Sequence, residues 1–227
     1  MREYTVERTS LNFKWTFKRM LPSLPGPGTP AFATLCKGLH PHGLSAARVT
    51  VEAPTARLSD VALGIALLDN RVALKITPAD FEMYVSDLYE GDQANLVEIA
   101  NLIFGALGQV DEDASQGNAE VRVSSHLKLD PLENFATLHE HLRLAESVPG
   151  LIPEAAVYQV VVGESPDSKE IRVVVAKSIA FEDALFIDTT IPYDGRIDIL
   201  KIAEQVELYF SLVTEKLGFR EKAQQEN

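Results

Sequence analysis

One plan occurs twice in this chain. Near the C-terminus an apolar, β-branched run, ALFIDTTIP (184–192), meets a tight corner at Tyr193-Asp194-Gly195 and continues into a helical pattern. Earlier, FEMYVSDL (81–88) meets Tyr89-Glu90-Gly91 and continues into a second helical pattern from Asp92. Alternation with period two before each corner reads as a strand, and apolar spacing of three and four after it reads as an amphipathic helix. Leu96, Ile99, Ala100, Ile103 and Leu107 correspond to Ile199, Ile202, Ala203, Val206 and Phe210, and RVALK at 71 aligns with RVVVA at 172. A strand face that alternates needs one covering layer, and a striped helix supplies it. The expected fold is therefore α+β: two pseudo-repeated halves, each an antiparallel sheet packed on a long amphipathic helix, drawn either separately or as one continuous curved sheet.

The first half spans 1–110. Residues 10–19, SLNFKWTFKR, set Leu11, Phe13, Trp15 and Phe17 against Asn12, Lys14, Thr16 and Lys18, a strand with one buried and one cationic face. Residues 21–46 carry a cluster of prolines and glycines, LPSLPGPGTPAF followed by HPHG, and read as a long loop because proline removes donors and fixes φ. A short strand, ARVTVEA, precedes a hairpin of DVALGIALL and RVALKIT across Asp69-Asn70. Residues 80–88 fit strand or helix, and their match to 184–192 favours strand. Asp92 is placed as the N-cap of a helix over 92–108 with Gly108 just past its end. The acidic run DEDASQGN, 111–118, reads as a solvated linker.

The second half, 119–227, opens with a strand in which Val121, Val123, Ser125 and Leu127 share a face. Asp130-Pro131-Leu132-Glu133 places a cap, a Pro at N1 and a Glu at N3 at the start of a helix over 131–147. Strands follow at 155–162 and 170–177, then the strand–corner–helix unit with its helix over 197–217 and Gly218 behind it. REKAQQEN reads as a frayed tail. The two halves are expected to form one compact unit.

A formal net charge of −12 opposes binding to phosphate backbones and anionic membranes, and it favours a basic partner. This weighs against the basic–aromatic strand at 10–19 stacking on nucleobases. Cys36 is the only cysteine, so no intrachain disulfide forms. The start MREYTVERTS has no apolar core of a signal peptide, and no apolar run reaches the roughly 20 residues that span a bilayer. A cytoplasmic location is expected.

Candidate chemistry is sparse. Cys36, His40 and His42 have no fourth metal ligand nearby, and His139 and His141 point about 200° apart on a helix. Asp188, with Glu182 and Asp183, is the best carboxylate site for general acid–base work. Ser124, Ser125 and His126 lie too close on one strand to form a triad alone. No nucleophile-elbow, phosphate-loop, dinucleotide or kinase pattern occurs. No catalytic residue, metal or cofactor is therefore assigned.

The proposed architecture is similar to helix-grip and TATA-binding-protein-like folds, a likeness of layout that carries no function. The stretch FIDTTIPYDG to LKIAEQVELYFSLVTEKLGF, with Asp188, Phe210 and Val213-Thr214-Glu215-Lys216, also resembles a sporadically distributed family of bacterial proteins of similar length. That resemblance implies no activity. The expected function is a non-catalytic protein-binding accessory protein: an adaptor, an inhibitor or antitoxin-like subunit, or a chaperone. It would act by protein–protein contact or self-association. The expected interaction surface comprises Leu208, Leu212, Pro25, Pro27 and Phe32. The alternatives are a small-molecule-binding helix-grip-like domain and an enzyme of unrecognised type.

Overall fold

The computed structural model describes residues 2–53, 57, 60–89, 91–129, 155–162, 169–181, 184–196 and 198–221. Its elements run β1 (Arg2–Phe17), α1 (Pro30–Leu39), β2 (Val49–Glu52), β3 (Ala62–Leu67), β4 (Val72–Ile76), β5 (Asp80–Val85), α2 (Asp92–Val110), β6 (Gln116–Leu129), β7 (Ala155–Val162), β8 (Lys169–Lys177), β9 (Ala184–Arg196), α3 (Ile199–Lys216) and β10 (Phe219–Glu221). The strand order is β2-β3-β4-β5-β1-β6-β9-β8-β7, with β10 pairing β1. The class is mixed α and β on a large, mainly antiparallel sheet. Two compact units divide the chain, and they do not follow its order. One holds residues 1–10, 122–191 and 206–227, and the other holds 11–121 and 192–205. They are called the split unit and the central unit below.

In the central unit, β1 pairs antiparallel with β5 from Leu11↔Val85 to Thr16↔Asp80. Then β5, β4, β3 and β2 form an antiparallel meander. Phe13, Trp15 and Phe17 are buried as the alternation requires. Trp15 donates its indole N–H to the Ala114 carbonyl at 3.0 Å, so it is a core residue and offers no face to a base. Rings stack edge-on in series: Phe81 and Trp15 each meet Phe104, at 5.6 and 5.8 Å. The α2 stripe is buried at Leu96, Ile99, Ala100, Ile103 and Leu107. Gly117, at the start of β6, is required sterically: a Cβ there would lie 2.1 Å from the Thr16 carbonyl oxygen.

Several expectations are corrected here. The loop over 21–46 contains a ten-residue helix, α1. Pro22, Pro25 and Pro27 precede it, Pro30 occupies N1, where no N–H is needed, and Pro41 follows its end; Thr29 Oγ1 caps it by accepting from Phe32 N at 3.2 Å. The hairpin of β3 and β4 is present, but its turn runs through three successive left-handed residues, Leu68, Asp69 and Asn70. Asp92 is not the cap of α2. Gly91 holds that position with φ of 85°, and the Asp92 carboxylate reaches back to the Tyr89 N–H at 3.0 Å. The helix runs through Gly108 to Val110. The acidic run is ordered: buried Asp111 accepts from Asp113 N and from Arg19 Nη2, opening a 3-10 turn over Glu112–Ser115.

In the split unit, β7 pairs with β8 and β8 with β9, both antiparallel. The face predicted for 119–129 is buried at Val123, Ser125 and Leu127, and at Val121 in the central unit. In the part of β9 that belongs to the central unit, the corner expected at 193–195 is absent, because the strand continues through those residues to Arg196. The tail is also partly ordered: Phe219–Glu221 pairs in parallel with Arg2–Tyr4, behind Gly218 at φ of 83°. The helix expected over 131–147, with its His139 and His141, lies outside the described residues. Among the described residues no helix is long and apolar enough to cross a membrane.

Candidate functional site

Asp188 sits in the middle of β9 in the split unit and is buried. Alternation puts it on the same sheet face as Arg122 and Ser124 of β6. Arg122 Nε donates to both carboxylate oxygens, at 2.7 and 2.9 Å, and Ser124 Oγ donates to Oδ1 at 2.6 Å. One guanidinium hydrogen shared by the two oxygens and one hydroxyl hydrogen hold the carboxylate in place, chiefly through Oδ1. The arrangement neutralises and fixes a buried charge. Glu182 and Asp183, the other members of the expected carboxylate site, lie outside the described residues. Ser125 alternates to the opposite face, where it is buried and hydrogen-bonds Thr9 Oγ1 at 2.9 Å. Ser124, Ser125 and His126 therefore do not converge.

Two residues beyond Ser124, the imidazole of His126 lies between Phe181 and Phe186, with ring centroids 5.1 and 5.2 Å away. Its Nδ1 is 2.9 Å from Ser178 Oγ. Ser178 begins the turn between β8 and β9, and its oxygen accepts the N–H groups of Ala180 and Phe181 at 3.1 and 3.0 Å. Burial, followed by the Arg8 charge, holds the His126 pKa below the ordinary imidazole value. Ile179, held between these anchors, is fully exposed.

The split unit shows more exposed apolar surface along β7. Val157 is 61% exposed and Val161 is 54% exposed. They alternate with Gln159, whose amide donates to Glu170 of β8 at 2.6 Å. β7 ends the strand order, and among the described residues only β8 pairs with it.

The central unit holds an open cleft of about 810 Å³, lined chiefly by polar groups from the end of β1, the acidic turn, the start of β6 and Gly195-Arg196. Its Asp113 is occupied by Arg19 and Gln116. Among the described residues its cations Lys18 and Arg196 form no ion pair.

Among the expected interaction residues, Leu208 is exposed, Leu212 half-buried, Pro27 exposed and Phe32 half-buried, whereas Pro25 is buried and packs inward. Leu208 and Leu212 belong to the split unit, and the other three to the central unit. Cys36 is half-buried, with burial raising its thiol pKa and suppressing its reactivity. His42 is buried with Nε2 3.6 Å from Glu98, too far for a hydrogen bond. Among the described residues no group of His, Cys, Asp and Glu is arranged to hold a metal ion.

The β7 valines and Ile179 were missed by sequence reasoning. AAVYQVVV is apolar apart from Gln159, so it reads as a largely buried strand and gives no hint that it ends the strand order. No protein-family model matches the chain, and no curated protein matches it.

Proposed function

We propose that this chain is a non-catalytic protein-binding accessory protein that receives an extended, basic segment of its partner along β7. The carrying observation is the pair of exposed valines, Val157 and Val161, on a strand at the end of the sheet order. An edge strand offers a row of backbone donors and acceptors, and alternate apolar side chains beside it give specificity. The net charge of −12 favours a positively charged segment over a neutral or acidic one. The engagement of Asp188 by Arg122 and Ser124 supports a non-catalytic reading. The expected cytoplasmic location, the pseudo-repeat of two sheet-and-helix halves on one curved sheet, and kinship with the bacterial family named above are parts of the same proposal.

The test is titration of the labelled protein with an alternating Lys-Val peptide of strand length, followed by amide NMR. Saturable shifts at 155–162 that vanish in the doubly substituted Val157→Lys, Val161→Lys chain support the proposal. Shifts confined to other elements, or no binding at millimolar peptide, defeat it. The open cleft carrying Lys18 and Arg196 favours a second reading, a binder of small anionic molecules. That reading requires ligand-induced shifts at Lys18 and at 112–118.

A further inference from the structure

We infer that His126 and Ser178 form a proton-operated latch on the turn between β8 and β9, closed when the imidazole is neutral and opened when it is protonated. The argument is one of valence. A serine hydroxyl has one hydrogen to donate and two lone pairs to accept with. Ser178 Oγ accepts two backbone N–H groups, from Ala180 and Phe181. Both lone pairs are thereby used, and the single hydroxyl hydrogen must serve the contact of 2.9 Å to His126 Nδ1. His126 Nδ1 is therefore the acceptor, and the neutral ring carries its proton on Nε2. Protonation places a hydrogen on Nδ1, facing a hydroxyl with no lone pair left. One of the Ala180 and Phe181 bonds must then break, or Ser178 must turn away.

The surroundings reinforce the neutral form. Phe181 and Phe186 flank the ring with apolar edges. From β1, Arg8 adds a positive charge that opposes protonation. On β6 itself, Lys128 is engaged with Glu7 of β1 at 3.8 Å. On β9, the Asp188 carboxylate is taken up by Arg122 and Ser124. On β8, Lys177 pairs with Leu185, on the alternate face from Phe186. The folded-state pKa lies below 6.5 and so below the unfolded value. The latch contribution to stability is complete above 6.5 and is lost as pH falls from there through the folded value. The element it controls carries Ile179, the fully exposed residue of this turn. The device does not depend on the binding role of β7, and it is tested on the free protein.

The experiment combines nitrogen-detected histidine NMR with amide exchange through the His126 titration. The expected neutral tautomer has its proton on Nε2. Exchange at Ala180 and Phe181, corrected for intrinsic rates, should rise about tenfold on protonation, the scale of one lost hydrogen bond. Ser178→Ala should exchange fast at every pH. His126→Asn keeps an acceptor near the Nδ1 position without a titrating ring, and should stay protected at every pH. A neutral ring protonated on Nδ1, unchanged protection across the titration, or a wild-type pH response in His126→Asn would each overturn the latch. The wild-type and His126→Asn readings decide the matter even where Ser178→Ala does not fold.

Discussion

The two long helices, α2 and α3, differ in how much of their apolar surface is buried. Along α2 the stripe is filled: Leu96, Ile99, Ala100, Ile103, Ala106 and Leu107 are all buried. On α3 the buried positions are Ile202, Val213 and Thr214, while Leu200 and Leu208 lie open. The surroundings differ in degree, because the split unit also buries an edge-on aromatic pair, Tyr4 and Phe219. Around α2 the central unit is aromatic, with Trp15, Phe81 and Phe104 in edge-on contact. Within the split unit the buried set includes hydroxyls: Ser125, Thr189 and Thr214. An apolar stripe states what a helix can bury, and the matching surface decides what it does bury.

The aromatic cluster should therefore carry the largest single-residue effect. Trp15→Ala removes a fully buried ring, its stacking on Phe104 and a hydrogen bond to Ala114. The expected loss is about 3–5 kcal/mol, measured as a drop in the urea midpoint with an unchanged slope. A loss below about 1 kcal/mol would mean that the cluster repacks freely, and the contrast between the two helices would lose its basis.

This contrast also marks what the sequence made legible. The strand at 10–19, the hairpin at 60–77 and the stripe on α2 were readable because local period and burial agree there. The helix α1 was hidden by neighbouring prolines, although Thr29 and Pro30 are a proper cap and N1 pair. The corner at 193–195 was read from Gly195, but a glycine with positive φ, here 103°, fits a strand distortion as well as a turn. Asp188 was singled out as a strand carboxylate suited to acid–base work. Its partner Arg122 was invisible because it lies 66 residues away in the chain, and cross-strand register is not written in local pattern. Among the described residues β7 ends the strand order, and its place there is not written in AAVYQVVV.

A smaller effect is expected at the start of α2, where local chemistry anchors the well-buried helix. Arg71 donates to Asp92 at 2.8 and 3.3 Å and to the Asp87 carbonyl at 3.0 Å, and its guanidinium stacks 4.6 Å over Tyr89. The hydrogen bond from Arg71 is the main cause holding the Asp92 pKa below its usual 3.8, with the Tyr89 N–H contributing. A depressed carboxylate stabilises the fold fully above its unfolded pKa, and that stability is lost as pH falls through the folded value. Arg71→Ala should cost about 1–3 kcal/mol at neutral pH, because a buried carboxylate loses its charged donor. It should also flatten the further loss of stability below pH 3.8. Urea unfolding at neutral and acidic pH separates the two expectations. Equal acid sensitivity in both proteins would show that Arg71 does not set the Asp92 titration.

The smallest effect should fall on the open side of α3. Leu208 is 55% exposed, so Leu208→Ser removes little buried surface and should change stability by no more than about 0.5 kcal/mol. Leu107 of α2 is fully buried, and Leu107→Ala should cost about 2–5 kcal/mol by the cavity it leaves. The two substitutions test the contrast directly, because the same residue type is removed from each of the two long helices. If Leu208→Ser unfolds the chain as Leu107→Ala does, then α3 is covered in solution by something that binds it, and the most direct readout is a concentration-dependent midpoint. If it is neutral, the open leucine is a surface feature, and the extra apolar residues on α3 contribute nothing to the core.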